Sequence, residues 1–233
     1  MTRSADNNSR WMVESLINSH TQTANLLRSC GFKVESRTSH IISSMVVQPR
    51  LKLKLDADYY KELHYTNESY KSKNWLVDEI EYISEHLSGE VIAEVGCGNG
   101  RFTRLIAQKV KNVYAFDWVR APGMENLPEN VHFLEGDILH ESIPRVDLLC
   151  SADVLEHFSA NDLPVVIARL TAAARQQYHV IACYDDGHSH LTVMQPSAWL
   201  ALFWRFLPEA KILGISCRRN DPKQLVCIIS ANI

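Results

Sequence analysis

The 233-residue chain lacks a long apolar run, a strong charge of one sign and any CxxC pair of cysteines. No window approaches the roughly 20 apolar residues of a membrane helix, and the polar first ten residues lack the apolar centre of a signal peptide. The formal net charge is −3, which argues against a protein devoted to coating nucleic acid or an anionic membrane. We therefore expect a cytoplasmic protein with no nucleic-acid or membrane partner.

The six cysteines stand apart from one another, and most lie in apolar runs such as Val180-Ile181-Ala182-Cys183. Isolated cysteines in such runs usually behave as small buried hydrophobes, so we expect free thiols in a reducing compartment. The length and the 46% of hydrophobic residues suffice for a large core without disulfides or a structural metal. One large domain, or one domain with a small appendage, is expected.

The character of the chain changes near residue 70. Before it, residues 11–30 are typical of a helix that ends at Gly31, residues 41–47 are rich in β-forming side chains, and residues 51–55 alternate as a half-exposed strand does. Residues 58–75 are rich in tyrosine. We interpret residues 1–70 as an N-terminal extension, either a lid or a subunit contact, and residues 71–233 as the main domain.

From residue 75 onward, short apolar runs alternate with helical stripes. The runs lie at 91–95, 113–116, 131–134, 146–150 and 180–184, and the stripes predict helices within 76–87, 102–110, 163–170 and 199–206. Apolar strands that alternate with helices are typical of a mostly parallel sheet covered on both faces. Runs 211–217 and 225–230 are joined by too short a link for a parallel crossover, so we expect an antiparallel final pair.

A glycine-rich loop follows the first of these strands: Glu94-Val95-Gly96-Cys97-Gly98-Asn99-Gly100. Glycines at alternate positions allow a sharp turn and let a ligand lie against bare backbone. The dinucleotide fingerprint would need a further glycine at Arg101, and the ending of a triphosphate-binding loop is missing. Asp117 and Asp137 follow the next two strands, where a carboxylate can accept from ribose hydroxyls or an adenine amine. With Glu94 they predict an acidic pocket for a cationic ligand without phosphate, and a plain cap or turn role is the alternative.

These motifs together resemble those of the class I S-adenosylmethionine-dependent methyltransferases. The resemblance covers about residues 71–233 and rests on the glycine loop, Phe116-Asp117, Gly136-Asp137 and Val154-Leu155-Glu156-His157. It implies an α/β, Rossmann-like, doubly wound sheet of seven strands, mostly parallel with the last strand antiparallel. It also implies S-adenosylmethionine as cofactor, held by Glu94, Gly96 and Gly98 at the methionine end, Asp117 at the ribose, Asp137 and Ile138 at the adenine, and Ser151 near the sulfonium. Their neighbours Cys97 and Trp118 complete the expected cofactor site.

Two histidines are candidates for catalysis. His157 follows the fourth strand and His190 lies after the fifth, so both loops are expected at the edge of the sheet that holds the cofactor. A neutral imidazole can accept the proton that an oxygen or nitrogen acceptor loses on methylation, although each histidine can equally well hydrogen-bond its own loop. His188, His190 and two nearby aspartates offer metal ligands, but a solvated polar turn is commoner, so no metal is predicted.

Four residues are expected to border the acceptor: Tyr65, Tyr70, His188 and Trp199. The stretch from His190 through Trp199 to Phe203 resembles the segment that borders the acceptor in many small-molecule and sugar methyltransferases. The tyrosines are candidates for a pocket wall, with ordinary aromatic packing as the alternative.

The sequence therefore predicts an enzyme that transfers a methyl group from S-adenosylmethionine to an oxygen or nitrogen of a small molecule, a sugar or a biosynthetic intermediate. In-line displacement with histidine as base is the expected mechanism. An RNA or protein methyltransferase and a non-catalytic S-adenosylmethionine-binding module are the alternatives. The modest charge and the stretch Ser151-Ala152-Asp153, which replaces the Asn/Asp-Pro-Pro-Tyr motif of base-methylating enzymes, argue against nucleic acid. A homodimer is left open.

Overall fold

The computed structural model describes residues 55–233. The helix predicted at 11–30 and the strand predicted at 41–47 lie outside these residues, as does all but the last residue of the strand predicted at 51–55. The extension proposed for residues 1–70 is therefore described only from residue 55 onward.

Seven strands and six α-helices make up the described part of the chain. The strands are β1 Val91–Val95, β2 Asn112–Asp117, β3 Val131–Glu135, β4 Leu148–Ala152, β5 Gln176–Ala182, β6 Lys211–Cys217 and β7 Leu225–Ala231. The helices are α1 Ala57–Thr66, α2 Glu68–Ser72, α3 Ile80–His86, α4 Arg101–Ile106, α5 Leu163–Ala173 and α6 Pro196–Trp204. Short 3-10 turns lie at Val77–Glu79, Pro122–Met124, Leu155–His157 and Arg218–Asn220.

All seven strands belong to one sheet, with the order β3-β2-β1-β4-β5-β7-β6. β1 to β5 pair in parallel, and β7 is antiparallel to both of its neighbours, β5 and β6. This confirms the predicted doubly wound, mostly parallel sheet with an antiparallel last strand. The strand order reverses between β1 and β4, and the loops that leave these strands diverge to open a crevice at their carboxyl ends.

The fifth strand begins earlier than predicted. It was expected at 180–184 and runs from Gln176 to Ala182, with every residue buried. Its polar side chains are buried because each finds a partner: Gln177 Nε2 donates to the carbonyls of Leu170 and Ala174 at 2.9 and 2.6 Å. A strand that contains buried polar residues is not recognised from a run of apolar residues, even when neighbouring elements satisfy those polar groups.

Two apolar layers cover the faces of the sheet. One contains Leu163 and Val166 of α5 with Trp199 and Phe203 of α6, and the other contains Phe102 of α4 with Ile83 of α3. Burying each of these large side chains contributes about 1.5–3 kcal/mol, so the sheet is fixed independently of α1 and α2. Among residues 55–233, no helix is both long enough and apolar enough to cross a membrane.

The described cysteines are free thiols, as predicted. Cys97, Cys150 and Cys227 are buried, whereas Cys183 is partly buried and Cys217 is exposed.

Candidate functional site

A cavity of about 630 Å³ opens at the carboxyl ends of β1, β2 and β4, where the strand order reverses. One half is lined by the glycine loop after β1 and by the ends of β2 and β3. The other half is lined by the loops that follow β4 and β5. Residues 60–75 from α1, α2 and the segment after them form the remaining wall. We call the half with the glycine loop the donor half, and the half with the loops after β4 and β5 the acceptor half.

The glycine loop presents bare backbone to the donor half. Gly96 and Gly98 both have left-handed backbone angles, with φ of 71° and 51°. A Cβ atom on Gly98 would meet nothing closer than His64 Cε1, at 3.6 Å, so space remains above this residue. The Gly98 N–H donates to Asp117 Oδ2 at 2.8 Å, which joins the loop to the end of β2.

Asp117 and His64 face each other across this half of the cavity. Burial raises the pKa of the Asp117 carboxyl, while the N–H of Gly98 and the nearby His64 act in the opposite direction. Burial lowers the pKa of His64, which Asp117 partly opposes. Among the described residues His64 Nδ1 has no hydrogen-bond partner. His64 was not predicted, since one histidine within α1 carries no distinguishing pattern in the sequence.

Glu94 and Cys97 lie behind the cavity wall rather than on it. Glu94 is fully buried and accepts from Asn74 Nδ2 at 3.1 Å and from the Thr103 hydroxyl. Burial raises the pKa of Glu94 to about 8, although the hydrogen bonds from Thr103 and Asn74 partly lower it. Glu94 therefore ties β1 to α4 and to residue 74. Cys97 is also fully buried.

Asp137 and Ser151 have their polar atoms engaged away from the cavity. Asp137 Oδ1 accepts the N–H of Leu139 at 2.9 Å, which closes its own turn, while its neighbours Gly136 and Ile138 line the cavity. Ser151 Oγ lies 2.8 Å from His179 Nδ1 and is buried. Five of the nine predicted cofactor residues thus line the cavity, namely Gly96, Gly98, Asp117, Trp118 and Ile138, and four do not: Glu94, Cys97, Asp137 and Ser151.

Both predicted histidines line the acceptor half, with ring centroids 5.1 Å apart. His157 Nδ1 donates to the carbonyl of Ser189 at 3.1 Å, and His190 Nδ1 donates to the carbonyl of Tyr184 at 2.5 Å. A carbonyl oxygen can only accept, so each neutral ring carries its proton on Nδ1 and a lone pair on Nε2. Burial, reinforced by His190, lowers the pKa of His157 to about 4.

Glu156 is buried beside these two rings. Its Oε1 accepts the N–H of Ala182 at 3.0 Å, and its Oε2 has no partner among the described residues. Burial raises the pKa of Glu156 well above its usual range, and Asp153 adds to this effect. In the sequence, Glu156 stands out only as part of the motif Val154-Leu155-Glu156-His157.

Asp186 organises the loop that carries His190. Its Oδ1 accepts the N–H groups of His188, Ser189 and His190 at 2.8–3.0 Å. Burial alone would raise the pKa of Asp186, but the hydrogen bonds from Ser189, His190 and His188 lower it overall. Asp186 therefore fixes the backbone on both sides of Ser189, in a turn whose Ser189 and His190 are buried rather than solvated.

Helix α1 spans both halves of the cavity. Tyr60 makes edge contacts with Trp118, at 5.6 Å between centroids, and with His157, at 5.8 Å. Tyr59 Oη lies 2.8 Å from His188 Nδ1. Tyr70 and His188, both predicted to border the acceptor, line the cavity.

The other two predicted acceptor residues do not line the cavity. Tyr65 has 55% of its surface exposed, and Trp199 is fully buried in the core. The apolar stripe of α6 packs against the sheet, and from sequence alone such a stripe looks the same whether it borders a core or a pocket.

Two further polar groups join the cavity wall to the rest of the fold, and the sequence did not reveal them. Asn99 Nδ2 donates to the carbonyls of Tyr70 and Lys73 at 2.9 and 2.7 Å. Arg218 pairs with both oxygens of Asp153, with Nη1 to Oδ2 at 2.7 Å. These partners are far apart in the chain, so no local spacing indicates them.

Comparison with known proteins connects this geometry to a family. A family model described as a methyltransferase domain matches residues 65–220. Malonyl-(acyl-carrier protein) O-methyltransferase of Serratia marcescens is 34% identical over 93 residues. The match spans 37% of this chain and 35% of that protein, about a third of its length.

Solved structures share the fold. The 1,6-didemethyltoxoflavin-N1-methyltransferase of Burkholderia thailandensis, solved with 1,6-didemethyltoxoflavin and S-adenosylhomocysteine, superposes with a TM-score of 0.60 at 15% identity. The alignment covers 86% of this chain and 92% of that chain. The N-methyltransferase NodS of Bradyrhizobium japonicum, solved with S-adenosylhomocysteine, gives a TM-score of 0.55 at 15% identity and covers 76% of this chain and 99% of that chain. At these identities the likeness shows the fold alone.

Proposed function

The chain belongs to the methyltransferase-domain family, as a class I methyltransferase that uses S-adenosylmethionine, and on that premise we propose that it methylates an oxygen or nitrogen of a small molecule. The observation that supports the proposal best is one cavity of about 630 Å³ with the glycine loop in one half and His157 and His190 in the other. This volume falls within the usual range for small-molecule sites. Macromolecular acceptors are better served by an open groove.

The donor half suits S-adenosylmethionine. Space above the bare backbone of Gly98 admits a ligand, and the Asp117 carboxylate, which lines the cavity, offers an acceptor for ribose hydroxyls. Trp118 and Ile138 line the same half and would pack against the adenine. When bound, S-adenosylmethionine supplies a methyl group on positively charged sulfur, which is open to in-line attack. Glu94 acts on this half indirectly, because it holds β1, α4 and residue 74 together.

In the acceptor half, Tyr60, Tyr70 and His188 would orient the acceptor, and His157 and His190 would assist the loss of its proton. Orientation of two reactants can contribute about 7–11 kcal/mol to lowering the barrier. Acid–base assistance typically adds about 10²–10⁴-fold. The Nε2 lone pairs of both histidines support this role, since their Nδ1 atoms are already engaged with carbonyl groups.

A sugar or a biosynthetic intermediate is the acceptor class we favour. Tyrosine rings on one wall can stack on a sugar or a flat intermediate. Lys73, Arg219 and Lys223 line the same cavity, which favours an acceptor with hydroxyl or acidic groups. The Serratia relative is named for action on malonyl-(acyl-carrier protein), whose malonyl group is acidic. We also propose that α1 and α2, the described end of the N-terminal extension, form a lid over both halves.

Two measurements test the proposal. Calorimetry with S-adenosylmethionine, S-adenosylhomocysteine and NAD should show binding of the first two alone, and binding of NAD alone would overturn the cofactor assignment. The full chain with methyl-labelled S-adenosylmethionine and a cell extract should then place the label in the small-molecule fraction. Label in RNA or protein would support the macromolecular alternative. Binding without transfer to any fraction would support a non-catalytic module.

A further inference from the structure

Glu156, His157 and His190 form a buried cluster at the wall of the acceptor half. One possible ligand atom from each of the three residues lies within 4.8 Å of the other two. Glu156 and His157 are adjacent in the 3-10 turn after β4, and the turn around Asp186 brings His190 to them. Two separate loops therefore place these groups together.

The polar atoms in this cluster do not satisfy one another. The Nδ1 atoms of both rings lie against carbonyl groups, so the tautomer that donates to them leaves Nε2 available as a ligand atom. His190 Nε2 lies 4.0 Å from Glu156 Oε1 and 3.9 Å from Asp186 Oδ2, both of them acceptors. The fully buried Glu156 has an oxygen, Oε2, without a partner among the described residues. Buried acceptors that face one another are costly unless a positive group lies between them.

We propose that Glu156, His157 and His190 bind one divalent transition-metal ion through the Glu156 carboxylate and the two Nε2 atoms. Two imidazole nitrogens and one carboxylate are a donor set that suits zinc, iron(II), cobalt or manganese and leaves coordination positions open. Carbonyl groups that accept the Nδ1 protons are typical of the partners that orient metal-binding histidines. The carbonyls of Ser189 and Tyr184 occupy those positions.

The open positions of the ion face the cavity, because His157 and His190 line it. If the proposed function is correct, an acceptor hydroxyl that binds the ion loses its proton to water more readily. The two Nε2 lone pairs then coordinate the ion, so the base role proposed above for His157 and His190 passes to the water that receives the proton. Acceptors with a hydroxyl next to a second oxygen, which can occupy two positions on the ion, are the class that such a site favours.

Metal binding is measurable without cofactor or acceptor. The full chain is freed of metal with a chelator, which is then removed, and Co²⁺ is added while the visible absorption is followed. We expect one Co²⁺ per chain, with the absorption bands of a nitrogen- and oxygen-ligated ion and competition by Zn²⁺. Glu156→Gln and His190→Gln should each weaken binding by at least about 10–100-fold. His132→Gln removes an exposed histidine from β3 and should leave binding unchanged.

Absence of a saturable metal site in the wild-type chain would overturn the proposal. It would show that a proton, rather than a metal ion, lies between the buried acceptor atoms of the cluster. Equal affinity in the wild type, Glu156→Gln and His190→Gln would also overturn it. Circular dichroism establishes that each variant is folded, and His157→Asn replaces any variant that is not. The proposed function fails separately, through the S-adenosylmethionine calorimetry, because metal binding is measured with no cofactor present.

Discussion

Asp117 differs from the other acids near the glycine loop in what its carboxylate contacts. It accepts the backbone N–H of Gly98, with further backbone hydrogen bonds from Trp118 and Val119, and it lines the cavity. Glu94 and Asp137 instead direct their oxygens at protein groups behind the wall. A ligand that occupies the donor half therefore meets Asp117 directly, whereas it depends on Glu94 and Asp137 only for the shape of the loops.

Asp117→Asn should weaken S-adenosylmethionine binding by about 5–150-fold, which corresponds to about 1–3 kcal/mol. The amide keeps the size of the side chain but replaces one acceptor oxygen with a donor group. Calorimetry with S-adenosylhomocysteine measures the change. Glu135→Gln is the matched control, because Glu135 is paired with Asp117 in the β2–β3 register but is exposed. An equal loss of affinity in the two variants would argue for a general charge effect.

His179 should make the fold less stable in acid. Burial lowers the pKa of His179 to about 3, and it is the only cause of this shift. In the unfolded chain the pKa is near 6.5, so the unfolded state binds the proton more readily between pH 6.5 and 3. The stability that depends on neutral His179 is fully present above pH 6.5 and is lost as the pH falls toward 3.

Urea unfolding between pH 7 and pH 4 measures this effect. The free energy of unfolding of His179→Gln should fall less steeply with decreasing pH than that of the wild type, by up to about 1 kcal/mol per pH unit. Glutamine can still bond to Ser151 and Gln177. His86→Gln, which removes an exposed histidine, should keep the wild-type slope. Identical slopes in all three proteins would mean that His179 does not couple folding to protons.

At the scale of elements, most of the sheet could be predicted, because apolar runs and the glycine loop are local signals. β1, β2, β3, β6 and β7 lie within a residue or so of their predicted positions. β4 begins two residues later than predicted, and β5 begins four residues earlier. The β5 shift arises because the buried Gln176, Gln177 and His179 read as polar in sequence. Their partners come from distant elements, which a local pattern does not reveal.

The residues that line the donor half were more predictable than the residues that pack α1 and α2 against it. Gly96, Gly98 and Asp117 belong to contiguous motifs at strand ends, and all three line the cavity. His64 and Asn99 bring α1 and α2 against that half, but their roles depend on how the helices pack. Trp199 differs from these residues, since it is an aromatic residue in a suitable segment that is buried in the core and does not line the cavity.

Asn99→Ala should loosen α2 more than it weakens the sheet. Asn99 holds the end of this short helix through the carbonyls of Tyr70 and Lys73, so its loss removes two hydrogen bonds to this segment, worth about 0.5–1.5 kcal/mol each. It also removes the bond that the Arg101 N–H donates to Asn99 Oδ1 at 3.1 Å. Hydrogen exchange of the full chain should become faster at residues 68–73 and stay unchanged in β4 and β5.

Asn130→Ala serves as the control for this prediction. Asn130 Nδ2 also donates to two carbonyls, those of Ala107 and Val110, at 2.8 and 3.1 Å. Its removal should lower overall stability by a similar amount without faster exchange at residues 68–73. Faster exchange there in both variants would show that α2 responds to global stability rather than to Asn99.

At the scale of the whole molecule, α1 connects two halves of a cavity that the sheet alone would leave apart. Tyr60 contacts Trp118 on the donor side and His157 on the acceptor side, and Tyr59 reaches His188. The two apolar layers that hold the sheet contain no residue of α1 or α2. These helices can therefore move without unfolding the core, which is what a lid requires.

Binding of S-adenosylhomocysteine to the full chain should slow hydrogen exchange in α1 and α2 more than in any strand, because the ligand would fill the space beneath them.

Tyr59→Phe removes the hydroxyl that lies 2.8 Å from His188 Nδ1, so it should speed exchange of α1 and of residues 186–190 by about 2–10-fold. It should leave the affinity for S-adenosylhomocysteine within about 2-fold, since Tyr59 contacts His188 on the acceptor side and does not line the cavity. Tyr114→Phe, which changes a tyrosine on β2 beside His132, should alter neither quantity. If the hydrogen-exchange rate of α1 changes neither with the ligand nor in Tyr59→Phe, this helix is a fixed wall of the cavity. Control of acceptor entry would then belong to the loop around His190.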